Sequence, residues 1–116
     1  MENTLEKAAL SQTASENYAG AAPDFLAAFG NLGAAAMANS PLDAKTNEMV
    51  ILAIAIARQC EGCLLLHTRL ALESGVSREE LIAVINLSVL MGGGPASAYG
   101  ATALKMYDDY AQAAKA

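Results

Sequence analysis

Along this chain of 116 residues, apolar positions return every three or four residues rather than every second one, which is the spacing of helices burying one stripe. The first twenty residues, through Asn17-Tyr18-Ala19-Gly20, carry that spacing weakly and predict a marginal helix. Pro23 restarts the chain, and Phe25, Leu26, Phe29, Leu32, Ala36 and Met37 follow at helical intervals. Gly30 and Gly33 interrupt this second helix, each at a cost of about 1 kcal/mol against alanine. Ser40-Pro41-Leu42-Asp43 predicts the next start, with Ser40 as the cap and Pro41 at the first helical position. That helix continues through Glu48 and the unbroken apolar stretch 49–57 to about Arg58. It is apolar on nearly every side, as a central buried helix is. A further helix begins around Cys60 and Cys63, carries Leu64, Leu65, Leu66, His67, Leu70, Ala71 and Leu72, and stops at Gly75. Ser77-Arg78-Glu79-Glu80 is a capping box, with Val76 and Leu81 as its hydrophobic staple. It opens a helix to about Met91, and Gly92-Gly93-Gly94-Pro95 separates that helix from a last one over roughly Ala96 to Ala114. With no repeat and no linker, residues 1–116 read as a single all-α domain of five to six helices around a central helical hairpin.

Composition sharpens this picture in two ways. Alanine, the strongest helix former, fills 26 positions, while aromatics make up only 5% of the chain. Hydrophobic residues reach 54% and the mean hydropathy is +0.30, yet the longest apolar run is nine residues against roughly 20 needed to span a bilayer. The N-terminus shows neither a basic cluster nor an apolar signal core, so a cytoplasmic protein is expected. Apolar surface beyond what so small a domain hides internally implies that helix faces are buried between subunits, and hence a homo-oligomer. The net charge of −5, with seven scattered basic residues, lacks the stripe that nucleic acid or an anionic membrane requires.

The chemistry concentrates in Cys60-Glu61-Gly62-Cys63-Leu64-Leu65-Leu66-His67. On a helix, seven steps of about 100° bring His67 back to within roughly 20° of Cys60, so all three side chains would share one face. A cysteine reacts as its thiolate, and two agents are at hand to lower a thiol pKa near 8.5: the helix N-terminus and His67. The second sulfur can then close a disulfide after the first has attacked an oxidised substrate. The alternatives are two cysteines packed as small hydrophobes, or zinc. Zinc would need Glu48 or water as its fourth ligand, so neither a metal nor a bound cofactor is expected. Tyr99, Tyr107 and Tyr110 read as packing residues, and Asn86 and Ser88 as hydrogen-bonding residues of an interface. By spacing alone Glu48 is a surface charge. If its helix pairs antiparallel with the cysteine helix, however, Glu48 and His67 come into reach and the carboxylate would orient the imidazole.

Glu48, eleven intervening residues, Cys60-x-x-Cys63, three more and then His67 resemble the signature of the carboxymuconolactone decarboxylase family, closest to its alkylhydroperoxidase D-like branch. The resemblance covers roughly residues 40–105. It implies an all-helical fold assembled as trimers or hexamers, with the thiols near subunit contacts. It also implies a peroxidase or thiol–disulfide cycle in antioxidant defence. In that cycle Cys63 attacks a small peroxide, Glu48 and His67 relay its proton, and Cys60 resolves the sulfenate. A dithiol such as a lipoyl group, carried by a partner protein, then reduces the disulfide. Some peroxidase members carry a histidine just before the second cysteine, where this chain has Gly62. Two other readings accompany this one: a lactone decarboxylase-type proton-transfer enzyme using His67 and Glu48, and a redox sensor whose thiols respond without turning over.

Overall fold

The computed structural model describes residues 3–116, and every described element is helical: α1 (Thr4–Ala21), α2 (Pro23–Ala38), α3 (Ala44–Ala57), α4 (Glu61–Glu73), α5 (Arg78–Gly92) and α6 (Gly94–Ala114). The expected all-α architecture is the observed one, and several boundaries differ for identifiable reasons. The first helix is not marginal. Asn3 caps it by accepting the Glu6 N–H through its side chain, and it runs for 18 residues. Ser40 and Pro41 do not open α3. Asp43 is its N-cap, taking the Thr46 N–H at 2.8 Å, while Ser40 holds the preceding bend through Leu42 N–H and Asn47. The Asp43 carboxyl is held below its ordinary range chiefly by the Thr46 backbone N–H. The capping box at Ser77 and Glu80 forms as expected. Only Gly93, at φ 70°, leaves helical geometry between α5 and α6, so α6 begins at Gly94 with Pro95 in its first turn.

The core lies where α3, α4, α5 and α6 meet, and Leu52, Ile56, Leu64, Ala71, Leu81 and Ala103 are fully enclosed there. At Gly100 of α6 an added Cβ would lie 2.5 Å from the Ile85 side chain, so these two helices approach closely. Bidentate Arg78–Asp108 and single Lys45–Glu80 ion pairs link α5 to α6 and to α3 on the outside. Tyr107 and Tyr110 donate their hydroxyls to the carbonyls of Val76 and Leu65, which satisfies buried polar groups while α6 is fastened across α4. Ser88, expected at an interface, is instead buried and donates to Val84 within its own helix. The expectation of a wholly buried α3 also needs correction. Val50 and Ile54 on its outer side are about half exposed, because no helix of the same chain covers them. Among the described residues no helix is long and apolar enough to cross a membrane.

Candidate redox site

The site is built by the turn between α3 and α4. Arg58 caps α3, the Gln59 N–H bonds the Ile56 carbonyl, and the Cys60 N–H bonds that of Ala55, both at 3.1 Å. This paired closure is the Schellman arrangement, whose residue just past the cap must adopt left-handed backbone. Gln59 occupies that position at φ 55°, where glycine is usual and a residue with a Cβ is strained by about 1–2 kcal/mol. The chain turns back sharply here, so α4 runs against α3 as the antiparallel hairpin expected for it.

Cys60 lies outside the helix. Its backbone is extended (φ −103°, ψ 95°), and it serves as the N-cap of α4, its sulfur accepting the Cys63 N–H at 3.2 Å. The expectation that Cys60, Cys63 and His67 share one helical face therefore holds only for Cys63 and His67, one turn apart on α4. What joins the two cysteines is a disulfide, with Cα atoms 5.2 Å apart. Cys63 sits on the exposed side of this bond and Cys60 is half-buried. Both sulfurs lie at the end of a helix whose first N–H groups point outward, the position that stabilises negative charge.

Glu48 is not a surface charge. It is buried on α3, and its Oε2 lies 2.8 Å from Nδ1 of His67 on α4. A carboxylate only accepts, so in that state the Nδ1 carries the proton and Nε2 is left as the base. The His67 side chain is partly open to solvent (22%), whereas that of Glu48 is not (6%). The pair is thus an imidazole reachable from outside, held from inside by a carboxylate.

Two features of the site gave no signal in the sequence. Gln59 has none, because its left-handed backbone belongs to a position normally read from glycine. Lys7 of α1 lies 3.6 Å from Glu61, the residue after Cys60, which brings the first helix over the start of α4. Gly62 has free space around it, and an added Cβ would meet nothing within 4 Å.

A family model for the carboxymuconolactone decarboxylase family matches residues 23–106. The chain belongs to that family. Among its relatives is an uncharacterised protein of Cupriavidus necator, 35% identical over 88 residues, an alignment spanning 76% of this chain and 78% of the relative. An uncharacterised Haemophilus influenzae protein is 47% identical over a shorter stretch of 45 residues, 39% of this chain and 40% of that one. The crystal structure of a carboxymuconolactone decarboxylase family protein from Legionella pneumophila, in its apo form, superposes with a TM-score of 0.81 at 33% identity. That superposition covers 85% of this chain and 88% of the Legionella protein.

Proposed function

We propose that this family member is a thiol-dependent peroxidase of the alkylhydroperoxidase D-like kind. The observation that carries the reading is a cysteine pair bonded at the N-cap of the helix that also presents His67, one turn on, hydrogen-bonded to buried Glu48. In the reduced enzyme, His67 Nε2 takes the Cys63 proton, and the imidazolium is stabilised through Nδ1 by Glu48. The thiolate attacks the terminal oxygen of a hydroperoxide. The O–O bond breaks, the alkoxide leaving group receives the proton from His67, and Cys63 becomes a sulfenic acid. Cys60 then attacks that sulfur, expels water and forms the disulfide. A dithiol of the lipoyl type attacks the disulfide, leaves as its own disulfide, and returns both thiols. The sum is ROOH plus a dithiol giving ROH, water and a disulfide. Exposure favours Cys63 as the sulfur met by the peroxide, since Cys60 is the more covered of the two.

Membership of the family supports a second reading, proton transfer on a lactone by His67 and Glu48 without the thiols. Steady-state peroxide consumption driven by a dithiol separates the two. Wild type should turn over many times per disulfide, Cys63→Ser should abolish turnover, and Cys60→Ser should stall after one equivalent. Peroxide consumption that survives in Cys60→Ser/Cys63→Ser would overturn the thiol mechanism, and lactone decarboxylation by that variant would favour proton transfer. A single turnover in wild type with every dithiol tried would make the pair a sensor instead.

A further inference from the structure

Gly62, which stands between the two cysteines, is also one end of a narrow cleft where α1 lies on α4. Ala8, Ser11, Gln12 and Ser15 line it from α1, spaced i, i+3, i+4, i+7 and so on one stripe of that helix. The opposite stripe repeats the spacing on α4 with Gly62, Leu65, Leu66 and Arg69, and buried Tyr110 of α6 completes the lining. Helix faces that meet within a fold are ordinarily apolar, yet three of the four α1 residues here are polar. Two serine hydroxyls, the Gln12 amide and the Arg69 guanidinium can all donate hydrogen bonds into the cleft. Tyr110 contributes no donor, because its hydroxyl is given to the Leu65 carbonyl. Gln12 and Arg69 each give one hydrogen bond to an acidic neighbour on their own helix, Glu16 at 2.9 Å and Glu73 at 3.0 Å. Both pairings are exposed, hold little energy and leave the remaining N–H groups available.

The size of the cleft limits what it can hold. Its volume of about 140 Å³ is well below the roughly 300–1,000 Å³ of a site for a drug-sized molecule, so it admits a slender chain. Arg69 lies one stripe position beyond Leu66, about 10 Å along α4 from Gly62. An extended chain covers about 1.2 Å per bond, so about eight bonds separate a group beside the disulfide from one held at Arg69. We infer that this cleft seats the reductant, a small dithiol with a free carboxylate about eight bonds from its sulfurs. Arg69 and Gln12 hold the carboxylate, Leu65 and Leu66 flank the methylenes, and the thiols lie at Gly62 beside the disulfide. The structure contains the disulfide, the form of the cycle that meets a reductant rather than a peroxide, and the cleft is open in that form. The inference rests on the thiol-peroxidase reading for its place in the cycle. One ligand thiolate attacks a cysteine sulfur and breaks the Cys60–Cys63 bond, and the second thiolate then displaces that cysteine from the mixed disulfide. The ligand leaves as a ring disulfide, having passed two electrons and its two thiol protons to the cysteines. A lipoyl group on a carrier protein ends in an amide instead and brings no charge to Arg69.

The reductive half-reaction tests this directly. The disulfide protein is mixed with dihydrolipoate or with dihydrolipoamide, which differ only in the carboxylate, and cysteine reduction is timed by acid quench and the mass of the alkylated protein. At sub-saturating concentration the acid should react about tenfold faster than the amide. Arg69→Gln should lower the acid to the rate of the amide and leave the amide unchanged, and Arg69→Lys should restore part of the preference. Glu73→Gln should raise the rate of the acid, since Arg69 then has no competing carboxylate. Arg69 and Glu73 are both exposed, so these variants keep the fold. Lys115→Gln, at an exposed lysine outside the cleft, should leave the ratio unaltered. Equal rates for the two dithiols with wild type would overturn the inference, as would an Arg69→Gln that slows both alike. A faster amide would also overturn it and assign the reductant to a lipoyl-bearing protein. No peroxide is present, so the peroxidase reading fails by a separate result, a reduced protein that peroxide does not oxidise.

Discussion

The pair α1–α2 and the pair α3–α4 are both helical hairpin-like units joined by short turns, yet only the second is a structural centre. The first pair is rich in alanine and the second in leucine and isoleucine, and each turns within a few residues, at Ala22 in the first and over Arg58, Gln59 and Cys60 in the second. In α3–α4 the turn folds one helix back along the other, and α5 and α6 close over Leu52, Ile56 and Leu64. In α2 no side chain is buried, and of the large ones Leu26 alone is partly covered while Phe25, Phe29 and Leu32 stand exposed. Apolar content decides that a helix needs a partner. Whether the chain itself covers that face is decided by the turns. The polar consequence follows: only a pair enclosed on several sides can bury a carboxylate such as Glu48, and it does so by giving it His67.

The largest test of this contrast is a matched pair of truncations. Leu52→Ala, at a fully enclosed position, should destabilise by about 2–5 kcal/mol in denaturant titration. Phe29→Ala, at an exposed position, should cost no more than about 0.5 kcal/mol. Equal losses would mean that α2 is packed within the protomer after all.

Next in size is a change that leaves packing alone. Glu48→Gln keeps the side-chain shape and a hydrogen-bonding oxygen but removes the charge that would stabilise an imidazolium on His67. Dithiol-driven peroxide turnover should fall by about 100-fold, within the range expected for an acid–base contribution, while the unfolding midpoint shifts little. A variant with unchanged turnover would leave the buried pair a merely structural one.

The turns at the two ends of α4 sharpen the comparison further. Both close by the same pair of hydrogen bonds, Gln59 and Cys60 onto α3, and Gly75 and Val76 onto Leu72 and Ala71 of α4. The second uses glycine at φ 90°, whereas the first, beside the disulfide, uses glutamine at φ 55°. Gly75→Ala should destabilise by about 1 kcal/mol or more, and Gln59→Gly should stabilise by roughly the same amount. If Gln59→Gly also alters the rate of disulfide reduction, the strain bears on the chemistry. If not, it is a local cost only.

These residues also mark the limit of what could be read in advance. Helix count, the Ser77 capping box, the α3–α4 hairpin and the candidate residues Cys60, Cys63 and His67 were legible, because periodicity, caps and motif spacing are local signals, whereas Glu48 entered only through the family resemblance. Cys60 as an N-cap rather than a helical residue was not, since a sulfur replaces the usual oxygen acceptor. Nor was the Asp43 cap, where Ser40-Pro41 offered an equally good start three residues earlier. The burial of Glu48 and the bareness of α2 depend on which elements pack together, which no local pattern carries.

The smallest expected effect concerns how α1 is held. Thr4, buried at the start of α1, donates its hydroxyl to Asp109 of α6 at 2.7 Å, and Lys105 pairs with the same carboxylate. The Lys105 bond first, and the Thr4 bond second, hold the Asp109 carboxyl below its usual range. Its folded value thus lies below the unfolded one of about 3.9, so the stability it contributes is fully present above that pH and is lost as pH falls through the depressed value. The amides at the start of α1 should therefore shift in NMR spectra below about pH 4, before the core helices respond. Salt should narrow the window, because Lys105 is largely exposed and its pairing is screened. Thr4→Val should move the Asp109 titration back toward the ordinary carboxylate range while leaving Leu52 and Ile56 resonances in place. Movement of α1 and core signals together, at one pH, would show that the first helix is no looser than the second pair.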